Sequence, residues 1–382
     1  MSELKERITG RLGDLLPLKY GKSLPAAVRD STGSVPVYGS SGVVGSHSSA
    51  LTTGPVIVVG RKGNVGAVHY SAVPCWPIDT AYFAEPPMGH DPRYYRYLLD
   101  SLGLARLDKS TAIPGLSRDD YNAVEVTIHP PEHQAEVVAE IEKQFSRLDE
   151  AVANLQRVKA NLKRYKASVL KAAVEGRLSG GGADAFRRTC LGELVELNPR
   201  LPKGSLDESS SVTFVPMAAV GADDGHIDVT AIRSYSEVRK GYTYFANGDV
   251  LFAKVTPCME NGKIAIAKGL VGGIGFGSTE FHVLRPRPDV DPRYVYCIVS
   301  SEAFRKEAAR HMTGAVGLRR VPTAFMESVE VSVPPFDEQL SVVFEVDRQL
   351  TIIQDIEGEV DLNLERSKAL RQATLAKAFL NQ

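Results

Sequence analysis

The stretches "DPRYYRYLLDS" at residues 91–101 and "DPRYVYCIVSS" at residues 291–301 are two versions of one phrase. Asp can cap the free N–H groups of a helix's first turn, and Pro fits the first helical position. We therefore interpret each phrase as a helix start. The competing interpretation is the Asp-Pro-Pro-Tyr type tetrad of amino-methyltransferases. Here the third residue is Arg93 or Arg293, and no glycine-rich cofactor loop of the methyltransferase kind precedes either copy.

The repetition extends well beyond this phrase. Three further pairs of similar segments flank it in the same order: "RLGDLLPL" (11–18) with "CLGELVEL" (190–197), "IDTAYFAEP" (78–86) with "STEFHVLRP" (278–286), and "VEVTIHPPEHQ" (124–134) with "VEVSVPPFDEQ" (329–339). The offset grows from 179 to 200 residues between the first two pairs, so the second copy carries an early insertion of 200 − 179 = 21 residues. This period is too long for a solenoid and indicates two copies of one domain-sized unit.

A long helix is predicted after each unit. In the first copy, a seven-residue series without Gly or Pro before Gly176 consists of Ile141, Leu148, Leu155, Leu162 and Val169. The second copy offers a similar seam at Val346, Leu350, Ile353, Val360 and Leu364. This spacing is typical of coiled coils. A helix of this length buries its seam against a partner. That partner is either the other helix of the same chain, packed antiparallel, or a helix of another chain.

These patterns predict an α+β (α/β) protein with two globular units related by a pseudo-two-fold axis and separated by two long antiparallel helices. The three glycines Gly180, Gly181 and Gly182 mark the linker between the copies. The predicted segments are a first globular domain at 1–136, a first long helix at 137–178, a linker at 179–186, a second domain at 187–339 and a second long helix at 340–382.

Composition and motifs exclude several classes of protein. The chain has 382 residues, a formal net charge of −1 and four scattered cysteines, which argues against a zinc site or a disulfide framework. No apolar run reaches the roughly 20 residues of a membrane span, and the polar start lacks the apolar centre of a signal peptide, so we expect a cytoplasmic protein. No P-loop, nucleophile elbow or metal-ligand spacing is present. We therefore expect a reader or a scaffold that is not an enzyme.

Two polar loops recur in each unit and are the candidate binding elements. The first is a hairpin tip, "GRKGNVG" (60–66) or its longer counterpart near residues 254–263; the second follows the repeated helix. The first glycine run does not fit a dinucleotide loop, so a hairpin turn or a phosphate- or base-contacting tip remains. Arg and Lys contact phosphates and guanine, while Asn suits adenine. The candidate DNA-binding residues are Arg61, Lys62, Asn64, Lys109, Ser110, Lys254, Asn261, Lys263, Arg319 and Arg320.

The order of these motifs, repeated twice, resembles the specificity (S) subunits of type I restriction–modification systems. The likeness rests on "LGDL" and "LGEL", "GRKGNVGAV", "STAIPGLS", the two "VEV" segments and "KASVLKAAVEGRL", and it covers essentially the whole chain. The second copy departs from it at "MTGAVGLRR", which lacks the Pro-Gly-Leu form, and at the worn terminal "QATLAKAFLNQ".

The resemblance implies two target-recognition domains, each of which reads one half of a bipartite, asymmetric sequence in double-stranded DNA. It also implies helices that set the spacer and dock two modification (methyltransferase) subunits, which bring S-adenosylmethionine, so that no cofactor is expected in this chain. Two restriction (motor-nuclease) subunits can join such complexes. The alternatives from other classes are a single-chain DNA methyltransferase and a protein-interaction scaffold that does not bind DNA.

Overall fold

The chain forms two compact units, each with mixed helices and strands. The computed structural model describes residues 7–108, 114–182, 185–315 and 317–379. Unit 1 comprises the residues up to Gln156 together with those from Asp361 onward, and unit 2 comprises Arg157–Val360. Two helices of 44 residues each therefore contribute one segment to each unit. The predicted α+β class with long helices is confirmed, whereas the five-segment domain division stays a prediction.

Within the residues that the structure describes, unit 1 has nine strands and three short helices, followed by the first long helix. The strands are β1 (Ile8–Arg11), β2 (Lys19–Tyr20), β3 (Val35–Gly39), β4 (Gly42–His47), β5 (Val56–Gly60), β6 (Val68–Ser71), β7 (Trp76–Pro77), β8 (Ala81–Ala84) and β9 (Glu125–Ile128). The helices are α1 (Leu12–Leu15), α2 (Pro92–Leu102), α3 (Arg118–Asn122) and α4 (Pro131–Val174). A 3₁₀ turn at Leu104–Leu107 follows α2.

Unit 2 repeats this order with additions. Its strands are β10 (Arg187–Cys190), β11 (Val195–Leu197), β12 (Ser211–Val215), β13 (Ile232–Ser234), β14 (Thr243–Ala246), β15 (Val250–Ala253), β16 (Ile264–Ile266), β17 (Ile274–Gly277), β18 (Phe281–Pro286) and β19 (Glu330–Val333). Its helices are α5 (Leu191–Leu194), α6 (Tyr235–Val238), α7 (Pro292–Ser300), α8 (Glu302–Arg310), α9 (Thr323–Ser328) and α10 (Phe336–Phe379).

The two units share one strand topology. The order β2-β8-β5-β6 in unit 1 corresponds to β11-β18-β15-β16 in unit 2. In the second sheet of each unit, β3 pairs parallel with β7 as β12 pairs parallel with β17. The largest addition in unit 2 is the insertion loop, residues 216–231 between β12 and β13, where unit 1 has only residues 40 and 41. The duplication inferred from sequence is thus present in the fold.

The repeated phrase starts a helix in both units, as predicted. The Asp91 carboxylate accepts a hydrogen bond from the Arg93 backbone N–H at 2.9 Å, and Asp291 does the same for Arg293 at 2.8 Å. Each aspartate N–H in turn donates to a buried glutamine of the following long helix: Asp91 to Gln134 at 3.1 Å, and Asp291 to Gln339 at 2.9 Å. These glutamines join the repeated helix to α4 and α10.

Both long helices supply apolar side chains to both cores. In unit 1, Ile141 and Phe145 of α4 lie in one buried cluster with Leu375 and Phe379 of α10, and the Phe379 ring meets the Tyr94 ring edge-on at 5.2 Å. A side chain this size contributes about 1.5–3 kcal/mol on full burial. The long helices are therefore stabilised by the globular cores as well as by each other.

In unit 2 a similar cluster contains the C-terminal part of α4 and the N-terminal part of α10. Val169 and Ala173 of α4 share a buried cluster with Val342 and Val346 of α10. The Tyr165 hydroxyl donates to the Gln349 side chain at 3.1 Å. Advancing along α4 thus corresponds to going backward along α10, as in an antiparallel pair. None of the helices within the described residues combines the length and apolar character that crossing a bilayer requires.

We predict that Gln339→Leu destabilises unit 2. The Gln339 side chain is 2% exposed, and its amide donates to Pro334 and Asp289 carbonyls while its oxygen accepts from Asp291 N–H. Leucine would leave buried polar backbone groups unpaired, which costs about 1–3 kcal/mol per group. The denaturant midpoint measured by circular dichroism should fall, whereas Gln354→Leu on an exposed face of α10 should leave it nearly unchanged. Equal midpoints for the two variants would contradict the role of Gln339.

Candidate functional site

In unit 1 the hairpin tip lies beside the described end of the second polar loop, residues 114–116. The Arg61 N–H donates to the Thr80 carbonyl at 2.9 Å, and the Leu116 N–H donates to the Arg61 carbonyl at 2.9 Å. Lys62 and Gly115 form an isolated antiparallel bridge. The end of β5, the start of β8 and the loop before α3 therefore meet at one joint, which we call reader joint 1 (residues 60–64, 79–82 and 114–116).

Unit 2 builds reader joint 2 (residues 253–256, 279–282 and 319–321) with the same hydrogen bonds. The Lys254 N–H donates to the Glu280 carbonyl at 2.9 Å, and the Val321 N–H donates to the Lys254 carbonyl at 2.8 Å. Val255 and Arg320 form the equivalent bridge. Positions therefore correspond across the two joints: Arg61 to Lys254, Thr80 to Glu280 and Gly115 to Arg320.

At both joints, a buried ring forms a hydrogen bond with a backbone carbonyl of the second loop. The Tyr82 hydroxyl donates to the Leu116 carbonyl at 3.1 Å, and His282 Nε2 lies 2.8 Å from the Val321 carbonyl. Since a carbonyl only accepts, His282 carries its proton on Nε2. Burial lowers the pKa of His282 below its ordinary value and keeps the ring neutral. The backbone frame is thus the same in both units, although different side chains maintain it.

The predicted residues of unit 1 lie at the tip of the joint. Lys62 and Asn64 are exposed. The Arg61 guanidinium donates to the Asp79 carbonyl at 3.0 Å and lies 5.1 Å from the ring centroid of Tyr20. Lys109 and Ser110 fall outside the described residues, so their positions stay predictions.

Sequence reasoning missed Tyr20 and Arg118, which adjoin this tip. The Tyr20 ring is half exposed, and the Arg118 guanidinium lies 5.3 Å from its centroid, close to Arg61 on the same ring. Guanidinium groups stacked on an aromatic ring keep their hydrogen-bond donors available. The available signal was the aromatic residue within the basic run "KYGK" at 19–22. Only the fold brings Arg118 next to it.

The predicted residues of unit 2 have different surroundings. Arg320 forms a bidentate pair with Glu280, with Nε–Oε2 and Nη2–Oε1 distances of 2.8 and 2.7 Å. The Lys254 side chain is half-buried, and burial lowers its pKa. Arg319 and Asn261 are exposed. Lys254, Arg319 and Arg320 belong to reader joint 2, and Asn261 lies on the connection between β15 and β16.

Lys263 makes contacts that hold the insertion loop. Its ammonium donates to the Met217 carbonyl at 3.0 Å and the Val220 carbonyl at 2.7 Å. Further along the insertion loop, Asp223 pairs with Arg305 at 2.9 Å and its N–H donates to the Gly262 carbonyl at 3.0 Å. Two of the three N–H donors of Lys263 are thus used within the protein. The exposed Arg319 side chain lies 3.8 Å from the Glu260 carboxylate.

The residues predicted for the helix seam are buried or half-buried within their units. Ile141, Leu162 and Val169 of α4 are at most 9% exposed. Val346, Ile353 and Val360 of α10 are at most 5% exposed. The half-buried members are Leu148, Leu155, Leu350 and Leu364. Other apolar side chains of α10 are exposed, above all Phe344 at 70%.

Comparisons with known proteins agree with this architecture. Residues 185–361 match the family described as the type I restriction modification DNA specificity domain. The chain is 34% identical over 193 residues to the type I restriction enzyme EcoAI specificity subunit of Escherichia coli, an alignment that covers 50% of this chain and 32% of that protein. It is 35% identical over 188 residues to the EcoEI specificity subunit of the same organism, covering 49% of this chain and 31% of that protein.

The match to these two relatives is partial, since the chain spans about a third of their length. The EcoDI specificity subunit of Escherichia coli is 21% identical across 97% of this chain and 87% of its own length. A solved structure described as the basis of complex assembly and conformational transition of the type I R-M system has a TM-score of 0.70 at 16% identity, covering 99% of this chain and 98% of its own. The HsdS subunit from Thermoanaerobacter tengcongensis has a TM-score of 0.54 at 18% identity and the same coverage.

We predict that acidification weakens the fold partly through His282. Its folded pKa is lowered, so below its ordinary pKa of 6.5 the unfolded chain binds a proton that the folded chain does not. Stability from this group is therefore present above pH 6.5 and lost as pH falls, by at most about 1.4 kcal/mol per pH unit. Burial lowers the pKa of His90 and His129 as well, with the same sign.

The measurement is the denaturant midpoint at pH 7 and at pH 5.5. His282→Tyr, which introduces the residue that unit 1 has at this position, should reduce the difference between the two midpoints. His226→Tyr at an exposed position is the matched control and should retain the full difference. An undiminished difference in His282→Tyr would show that this ring does not carry the pH dependence.

Proposed function

We propose that the chain is the DNA sequence-recognition subunit of a type I restriction–modification system, since residues 185–361 match the type I specificity domain and its relatives are specificity subunits of such systems. In this proposal each unit reads one half of a bipartite, asymmetric target in double-stranded DNA. The observation that carries the proposal is the pair of reader joints, which have one backbone frame and different polar side chains.

This difference in chemistry supports two different half-sites. Sequence is read by hydrogen bonds from side chains to base edges, and the donors and acceptors present decide which bases fit. Reader joint 1 offers Arg61 and Lys62, while reader joint 2 offers Lys254, Glu280 and Arg320. A frame held by backbone hydrogen bonds tolerates such exchanges. We propose the following residues as DNA contacts: Arg61, Lys62, Asn64, Lys254, Asn261, Arg319 and Arg320. Lys109 and Ser110 stay candidates on the sequence alone.

We propose Lys263 chiefly as a residue that maintains the hairpin of unit 2. Its ammonium already donates to two carbonyls at 2.7 and 3.0 Å, so reaching toward DNA would pull it away from them. Breaking hydrogen bonds of a half-buried charged group is costly. Lys263 would then support recognition by keeping Asn261 and its neighbours in place.

The long helices are proposed to set the spacer and to dock two modification subunits. The predicted seam residues are occupied within the units, whereas α10 exposes Phe336, Leu340, Phe344, Ile352 and Ile356. Exposed apolar side chains on one element are characteristic of protein–protein contacts. The modification subunits would bring S-adenosylmethionine and carry out the methyl transfer, and two restriction subunits would complete a nuclease.

In this assignment the chain itself is not an enzyme and acts in the cytoplasm, where DNA and the partner subunits are present. The formal net charge of −1 fits a reader that obtains much of its phosphate contact from partners. Adenine is the expected methylated base, as the resemblance to S subunits implies.

The decisive experiment is methylome sequencing of the host with and without this chain. We expect one two-part methylated sequence that disappears on deletion and returns on complementation. Complementation with Arg61→Ala should relax one position of a single half-site by roughly 10- to 100-fold, because a bidentate base contact is lost. A methylome that deletion leaves unchanged would refute the proposed function.

We also predict that helix length sets the spacer. Inserting one heptad after Gln156 in α4 and another after Val360 in α10 keeps both seams in phase. Each helix then lengthens by about 10 Å, which corresponds to about three base pairs. The methylated sequence should therefore keep both half-sites and gain about three base pairs between them. Insertion in α4 alone should disrupt methylation, and an active double-insertion variant with the original spacer would contradict this role.

A further inference from the structure

The Arg320–Glu280 pair has no counterpart in unit 1. At the positions of Glu280 and Arg320, reader joint 1 has Thr80 and Gly115. Unit 1 has an arginine on the other side of the joint, Arg61 at the end of β5, where unit 2 has Lys254. Reader joint 1 thus carries Arg61, whereas reader joint 2 carries Arg319 and Arg320 on the second loop, and a carboxylate holds Arg320.

The Arg320–Glu280 pair contributes little to the stability of the fold. The side chains of Arg320 and Glu280 are 43% and 27% exposed. Exposed ion pairs contribute little to folding. What a bidentate pair does provide is a fixed guanidinium plane, since two parallel hydrogen bonds define its orientation. A side chain that is already ordered loses less conformational entropy when it binds a partner.

The pair leaves one edge of the guanidinium available. Glu280 occupies Nε and one N–H of Nη2, at 2.8 and 2.7 Å. Among the described residues, Nη1 contacts the Leu318 carbonyl at a long 3.5 Å. A guanidinium has five N–H donors, so the Nη1–Nη2 edge retains donors for a second bidentate partner. Guanine presents two matching acceptors, O6 and N7, in the major groove.

We propose that Arg320 reads a guanine in the half-site bound by unit 2 and that Glu280 is the positioning residue that aims it. This inference rests on the proposed function and makes it more specific. Lys254 stands beside the pair, and its charge raises the local attraction for DNA. The hydrogen bonds to Arg320 hold the pKa of Glu280 below its ordinary value, so the carboxylate is ionised at neutral pH.

The test uses the assembled complex with its modification subunits and a library of DNA targets. Arg320→Ala should lower the preference for guanine at one position of one half-site by roughly 10- to 100-fold. Glu280→Gln should lower the preference at that same position by a smaller factor. In the Arg320→Ala background, Glu280→Gln should have no further effect, because it acts through the arginine. The other half-site should be read as before.

A matched control removes one carboxylate from another arginine pair of unit 2. Glu307 pairs with Arg310 at 2.8 Å on α8, outside the residues of reader joint 2, and Glu307→Gln should leave base preference unchanged. Unaltered guanine preference in Arg320→Ala, or a loss spread evenly over both half-sites, would overturn the inference. If the unsubstituted complex selects no two-part sequence, the proposed function itself fails, and the two failures are thereby distinguished.

Discussion

Apolar packing of both long helices into both cores is the constraint on which the structure depends. Leu375 and Phe379, from the end of α10, close the core formed around Tyr94, and Val169 and Ala173, from the end of α4, do the same in unit 2. A helix of this length has little stability without an apolar surface to cover. Removing either helix would take apolar side chains out of both cores, so each unit depends on both long helices.

The two reader joints have the same backbone hydrogen bonds but different side chains. Backbone hydrogen bonds from Arg61 and Leu116 recur at Lys254 and Val321 without regard to side-chain identity. The buried ring that ties the loop can be Tyr82 or His282, because either can donate to a carbonyl. Such a frame allows the exposed side chains to change while the position of the loop stays the same. That property suits a protein whose two halves are proposed to read different sequences.

The two joints also treat positive charge differently. In unit 1, Arg61 and Arg118 lie over the uncharged ring of Tyr20. In unit 2, a carboxylate offsets part of the charge by pairing with Arg320. An arginine without a carboxylate partner binds the phosphate backbone of any sequence. A guanidinium that is held by a carboxylate favours partners of one geometry. The balance between affinity and selectivity can thus differ between the two halves of one chain.

The sequence by itself determined the duplication, the helix start at each repeated phrase and the two long helices, because these depend on local capping and on periodic apolar residues. It also indicated the polar loops, since Gly, Lys, Arg and Asn between strands are a local signal. Only the tertiary structure decided which side chains meet: Glu280 lies 40 positions from Arg320, and Phe379 lies 285 from Tyr94. Lys263 and Arg320 look alike in sequence, yet one donates to carbonyls and the other to a carboxylate. Such pairings depend on long-range packing and on the length of the insertion loop, which local patterns do not encode.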